Sequence, residues 1–369
     1  MRNLKILLIG ILIIFVSCTN KEQSKSENKN SDTAPAFEFG VWTTADAKKS
    51  NEEYTKEFEK YKIAGIDEIL INTNTDPELL KRIVPLAKEK GLRVHAWIMT
   101  MNRPGDPIAL QNPEWYAVSK EGKSCYDKRP YVDYYQWLCP TRKESRDHIL
   151  SLVEGLAKVD GIESVHLDYI RFSDIFLPIS LLPKYNLKQE TELPEFDFCY
   201  CDVCIEEFEK IHHKNPLESD NTSIDMEWKQ FRLNRVRDIV NDAYVIAHKY
   251  NKKLTAAVFP YPEMADHMVR QRWDKWTIDE VYPMIYHGFY YEEIDWIGFA
   301  TKQGVEDVKG TGIEINTGVY IPSFNSRQEL KEAIMLAKSN GAKGITFFDG
   351  PALNPELISE IRKTKESFK

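Results

Sequence analysis

Short apolar runs alternate along this chain with longer stretches whose apolar residues recur at helical spacing. The runs predict strands over 39–44, 66–72, 92–99, 162–170, 254–259, 278–286, 313–321 and 344–348. Helical spacing predicts helices over 51–64, 77–90, 142–159, 226–250, 327–340 and 355–367, with Gly91 and Gly341 as stops. Eight strands leading into helices, with no internal repeat, predict an α/β fold: a (β/α)8 TIM barrel with a long excursion over 173–225 after strand 4. The rival is an open doubly wound sheet. It wants a glycine-rich phosphate loop after its first strand. Val41-Trp42-Thr43-Thr44-Ala45-Asp46 contains no glycine.

A barrel of this kind places its chemistry where strands end. The first strand offers Trp42, the second Asn72, the third His95 and Trp97. The fourth reads Val165-His166-Leu167-Asp168-Tyr169-Ile170-Arg171-Phe172, an apolar wall turning into charge. Strand alternation puts His166 and Asp168 on one face, with Leu167 and Tyr169 on the other. Asp168 is the expected catalytic carboxylate, and Arg171 is expected to keep it ionised by lowering its pKa. Glu263, just past the fifth strand, is the expected second carboxyl. Tyr286 and His287 follow the sixth strand, Tyr320 ends the seventh and Asp349 the eighth.

Carboxylates, amides and aromatic faces suit a glycosidic bond. One acid protonates the leaving oxygen, and a second group attacks or activates water. The expected sugar contacts are Trp42, Asn72, His95, Trp97, His166, Arg171, Tyr286, His287, Tyr320 and Asp349. A structural reading competes at several of them: His166 as a packed core residue, Asp168–Arg171 as a rim ion pair. The aromatic loop from Trp115 to Trp137 either stacks on sugar or packs on itself.

The ends and the charge narrow the setting. Arg2 and Lys5 precede an apolar run over 6–16, too short for a comfortable membrane span. Phe15-Val16-Ser17-Cys18 resembles a bacterial lipoprotein signal, which implies cleavage after residue 17 and lipid on Cys18. Residues 18–36 are too polar to fold and read as a tether, leaving 37–369 as the barrel domain. The expected location is the cell envelope, on a membrane anchor. With 49 basic against 57 acidic residues, the net charge of −8 argues against nucleic acid as a partner.

Four segments carry a family resemblance: Trp137-Leu138-Cys139-Pro140 with Arg146-Asp147; His166 to Phe172; Arg270 to Trp276; and Asp279 to Tyr286. They resemble the glycosyl-hydrolase-like (family 10-like) bacterial lipoproteins. That resemblance implies a (β/α)8 barrel, a carbohydrate substrate, glycan hydrolysis and no catalytic cofactor. The placement of Asp168 and Glu263 is similar to amylase-like barrels, which implies Asp168 as nucleophile and Glu263 as acid/base. The rival from another class is a glycan-binding lipoprotein that has lost its chemistry.

Six cysteines are present. Cys199, Cys201 and Cys204 form C-x-C-x-x-C and have the spacing to wrap a tetrahedral metal. One barrel family of beta-galactosidases looks similar, and its likeness implies a closed structural zinc site of Cys139, Cys199, Cys201 and Cys204. Disulfides are the alternative in an oxidising compartment, with Cys125 to Cys139 and one pair inside the cluster.

Overall fold

The computed structural model describes residues 36–219 and 222–368. The signal segment, Cys18 and the tether up to residue 35 lie outside them. One compact unit spans Ala36–Lys369.

Its centre is a closed, all-parallel barrel in the order β1-β2-β3-β4-β5-β6-β7-β8. The strands are β1 Glu38–Thr44, β2 Glu68–Asn72, β3 Arg93–Met99, β4 Ser164–Asp168, β5 Lys253–Val258, β6 Glu280–Pro283, β7 Glu314–Tyr320 and β8 Gly344–Phe348. The helices are α1 Asn51–Ile63, α2 Pro77–Glu89, α3 Lys143–Ala157, α4 Asp202–His212, α5 Met226–Lys249, α6 Pro262–Val269, α7 Asp295–Asp307, α8 Arg327–Ser339 and α9 Pro355–Glu366. The (β/α)8 expectation holds. Local chemistry starts the helices where it should: Ser50 and Glu53 form a capping box on α1, and Asp76 caps α2 ahead of Pro77.

The barrel interior is filled in storeys. At the bottom, buried Glu68 meets Arg93, and buried Glu280 meets Lys253 and Lys343. The Tyr282 hydroxyl donates to Glu68 at 3.0 Å and closes that storey. In the middle, Trp42, Leu70, Ala257 and Tyr282 form a separate apolar cluster. Gly318 makes room for it, since a Cβ there would stand 2.8 Å from the Trp42 ring. Trp97, Met284 and Phe348 lie against this cluster as its partly buried neighbours.

The excursion after β4 carries α4 and is tied to the barrel by buried polar groups. Asp197 pairs with Arg232 of α5, both buried, and Trp228 donates to the Tyr200 hydroxyl at 3.0 Å. Backbone bonds stitch it to the loop after β3: Lys120 N to Asp197 O at 2.9 Å and Tyr200 N to Val118 O at 2.7 Å.

Candidate active site

β4 ends at Asp168, two residues earlier than the apolar run suggests, because Tyr169 turns into the left-handed region at φ 51°. That turn takes Tyr169 out of the strand. Its N–H donates to Asp168 Oδ1 at 2.6 Å, and its ring packs edge-on against Trp137 and Tyr135. The second carboxylate oxygen accepts from Trp97 Nε1 at 3.1 Å. Trp97 is on the neighbouring strand, two residues below the Met99–Asp168 register pair and on the same face. Asp168 is therefore half-buried in an aromatic setting. Burial raises its pKa to about 6, against the lowering by the Tyr169 N–H, Arg171 and Trp97.

An aromatic floor lies beside it. The Tyr286 and Phe348 rings stack at 6.1 Å, with an interplanar angle of 10°. Tyr320 joins both, at 5.6 Å from Tyr286 and 6.0 Å from Phe348. Phe289 and Trp97 extend the group at either side. The Tyr286 hydroxyl lies within the electrostatic reach of Asp168, and burial pushes its pKa well up. Phe348 and Phe289 were not foreseen. The signal for Phe348 was its place at the end of β8, level with Trp42 on one side and Tyr320 on the other.

Asn72 is half-buried at the end of β2 and accepts from Asn74 N at 2.7 Å. With Asn102 and Arg103 it lines a small cavity of about 30 Å³. Asp349 is half-buried and accepts from Ala352 N at 3.3 Å, capping the turn after β8.

Other expected contacts do not reach the cleft. Trp42, His95 and His166 are buried in the lower storeys. Trp42 Nε1 donates to His166 Nε2 at 3.1 Å, so His166 carries its proton on Nδ1 and donates to Thr255 Oγ1 at 2.9 Å. Burial holds that imidazole neutral, with His95 adding to the effect. His95 bonds Ser164 at 2.7 Å and lies 3.2 Å from Glu68. These three side chains pack the barrel and have no face left for sugar. His287 is buried against Phe324.

Two expectations about charge change. Arg171 is buried, pairs with Asp174 at 3.2 Å and lies over the rings of Trp137, Tyr169 and Phe259. It does lower the Asp168 pKa, as expected, but burial of the carboxyl outweighs it. Glu263 sits in the first turn of α6, exposed, because Pro262 starts that helix directly after the strand. Its charge is felt by Arg272 and Asp307.

The cysteines settle into one group. The sulfurs of Cys139, Cys199, Cys201 and Cys204 are buried and all lie within 4.8 Å of one another. Cys139 Sγ is 3.4 Å from Cys201 and 3.5 Å from Cys204. All the described cysteines are free, and Cys125 stands apart from the cluster, so the disulfide alternative fails. A tetrahedral ion with bonds of ~2.3 Å spaces its sulfurs at about 3.8 Å, which this set fits. Backbone N–H groups of Thr141, Arg142 and Val118 point at the sulfurs at 3.4 Å, as thiolates require. The four can hold a metal, and their position joins the loop after β3 to the excursion.

Several glycoside hydrolases of known structure share this shape. The glycoside hydrolase domain of PgaB (BpsB) from Bordetella bronchiseptica superimposes with a TM-score of 0.63 at 14% identity, covering 89% of this chain and 99% of that one. The catalytic domain of the beta-amylase from Paenibacillus polymyxa gives 0.60 at 11%, covering 91% and 99%. The endo-1,4-beta-mannanase from Rhizomucor miehei gives 0.55 at 8%, covering 91% and 96%. At these identities the likeness shows the fold alone. No curated protein matches the sequence. The sequence profile of the family described as "Putative glycosyl hydrolase domain" matches residues 27–310, most of the chain, and the protein belongs to that family.

Proposed function

We propose that the protein hydrolyses a glycosidic bond, with Asp168 as the general acid. The observation that carries this is the raised pKa of a half-buried carboxyl at the end of β4, beside an aromatic floor. A carboxyl that titrates near 6 keeps a proton for the leaving oxygen in mildly acidic to neutral solution. The face of Tyr320, backed by Phe348 and the buried Tyr286, offers stacking surface and a negative potential for the cationic sugar of the transition state. Asn72 and Asp349 at the rim take sugar hydroxyls. The attacking group in this reading is water or a substituent of the sugar itself. The role is thus acid, not the ionised nucleophile that the sequence suggests.

A second reading has one observation in its favour. Glu263, the expected partner of Asp168, is exposed on α6, and a barrel that binds glycan without cleaving it needs no such partner. Release of reducing ends from a panel of glycans, lost in Asp168→Asn, separates the two. Binding without release by the parent protein selects the second.

In this reading zinc occupies Cys139, Cys199, Cys201 and Cys204 and serves structure, since four thiolates leave no open coordination position. Lipid on Cys18, after removal of residues 1–17, holds the barrel at the cell envelope through the polar segment 18–36. Cys18→Ala tests the anchor: the protein moves from the membrane to the soluble fraction.

A further inference from the structure

We propose that a cleft between the loop after β3 and the excursion is a second carbohydrate subsite, one that takes an acidic sugar residue of a chain held at Asp168. It rests on the reading of the barrel as a glycan-acting protein. It does not depend on whether Asp168 cleaves.

The cleft has a volume of about 260 Å³, room for one ring-sized group and its substituents. Its aromatic side is rigid. The Tyr131 ring stacks on Phe196 at 4.1 Å, and its hydroxyl donates to Asp174 O at 2.8 Å while accepting from Gln189 at 3.0 Å. Tyr185 meets Tyr131 edge-on at 5.7 Å and is half-buried on the same wall. Such rings suit the C–H face of a sugar and lose little entropy in holding it.

Charged side chains line the same cleft. Lys123, Lys128 and Arg129 line the cleft, are exposed, and form no ion pair among the described residues. Arg129 spends one N–H on Asp133 O, at 2.8 Å. Glu121 and Glu195 also line the cleft and can accept sugar hydroxyls. The balance is one positive charge, in a protein whose net charge is −8. A cationic wall against that background selects an acidic group.

Placement links the cleft to the active site. Tyr169, next to Asp168, meets Tyr135 at 6.3 Å, and Tyr135 meets Tyr131 at 6.4 Å. One line of rings thus leads from the reacting carboxyl to the cleft. The two walls are fixed to each other by the Ser119–Phe198 bridge, and the cysteine cluster begins at the next residue. The cleft is preorganised.

The test measures binding of the full chain carrying Asp168→Asn, so that nothing is consumed. Polygalacturonate is the carboxylate probe, dextran sulfate the sulfate probe and dextran the neutral one. The inference expects an acidic polymer to bind more tightly than dextran, and the two acidic probes to report whether carboxylate or sulfate is preferred. Lys123→Gln with Lys128→Gln, and separately Tyr185→Ala, weaken that binding about tenfold, while Tyr185→Phe does not. Thermal melts confirm that each variant is folded. Equal affinity of the parent for acidic and neutral polymers overturns the inference, as does unchanged binding in the variants. Turnover by the protein with native Asp168 is a separate readout. Its absence with binding present rejects the hydrolase reading and leaves this subsite standing.

Discussion

Trp97 Nε1 donates a hydrogen bond to Asp168 Oδ2 across 3.1 Å, from one barrel strand to the next. The bond favours the charged carboxylate, whereas burial favours the neutral acid, and burial wins. With Asp168 as the acid, kcat/KM falls as pH rises through about 6, by about tenfold per pH unit above it. Trp97→Phe removes a donor to the anion, so the limb moves to higher pH. A pH–rate profile of both proteins checks the direction. A limb that stays in place, or moves down, contradicts the assignment.

The same group affects stability with a definite sign. Its folded pKa of about 6 is above the ordinary aspartate value of 3.8, so between these pH values the folded chain holds a proton the unfolded chain has released. This carboxyl therefore makes the fold less stable as pH rises through that window, by roughly 2–3 kcal/mol in all. Asp168→Ala removes the effect. Its stability relative to the parent should improve from pH 4 to pH 7 in denaturant titrations.

The aromatic floor is exposed to substrate at Tyr320, which is half-buried beside Tyr286 and Phe348. Tyr320→Ala should raise KM about fivefold with a smaller change in kcat, since stacking is worth ~1 kcal/mol in both ground and transition states. Tyr320→Phe should be near normal. Steady-state kinetics on the cleaved glycan distinguishes these outcomes from loss at the phenyl variant, which would assign the work to the hydroxyl.

The cysteine cluster holds two long segments that have few strands of their own. Elemental analysis should find about one zinc per chain. Cys204→Ser, or a strong chelator, should lower the melting temperature and expose the excursion to protease before the barrel strands are cut. A metal-free protein with full protease resistance would contradict the zinc reading.

His166 answers the question of which strand-end residues serve packing. Its two ring nitrogens join Trp42 to Thr255 inside the barrel. His166→Ala leaves a cavity, a buried indole N–H and a buried hydroxyl unpartnered, which costs ~3 kcal/mol of stability. Chemical denaturation measures it. A change below 1 kcal/mol would show that the residue is not a structural link.

The barrel was legible because its strands are continuous apolar runs buried on both sides, and five of the described α-helices carry side-chain caps. Asp168 was legible because it ends such a run. The heights of His95, His166 and Trp42 were not. Alternation tells which face a residue takes but not how far the strand continues above it, and the turn at Tyr169 set that level. Glu263 was misplaced because Pro262 makes it a helix residue at once, a start that the short sequence Pro260-Tyr261-Pro262 left ambiguous. The cysteine cluster was readable from spacing and likeness, and the structure brings its distant member, Cys139, to the other three.

The central claim is that Asp168 carries the chemistry. The most direct test is turnover of Asp168→Asn on whichever glycan the parent cleaves, with Glu263→Gln beside it. The account predicts that Asp168→Asn loses about 10²–10⁴-fold in kcat while remaining folded, and that Glu263→Gln stays close to the parent. A folded Asp168→Asn protein with undiminished turnover would contradict it.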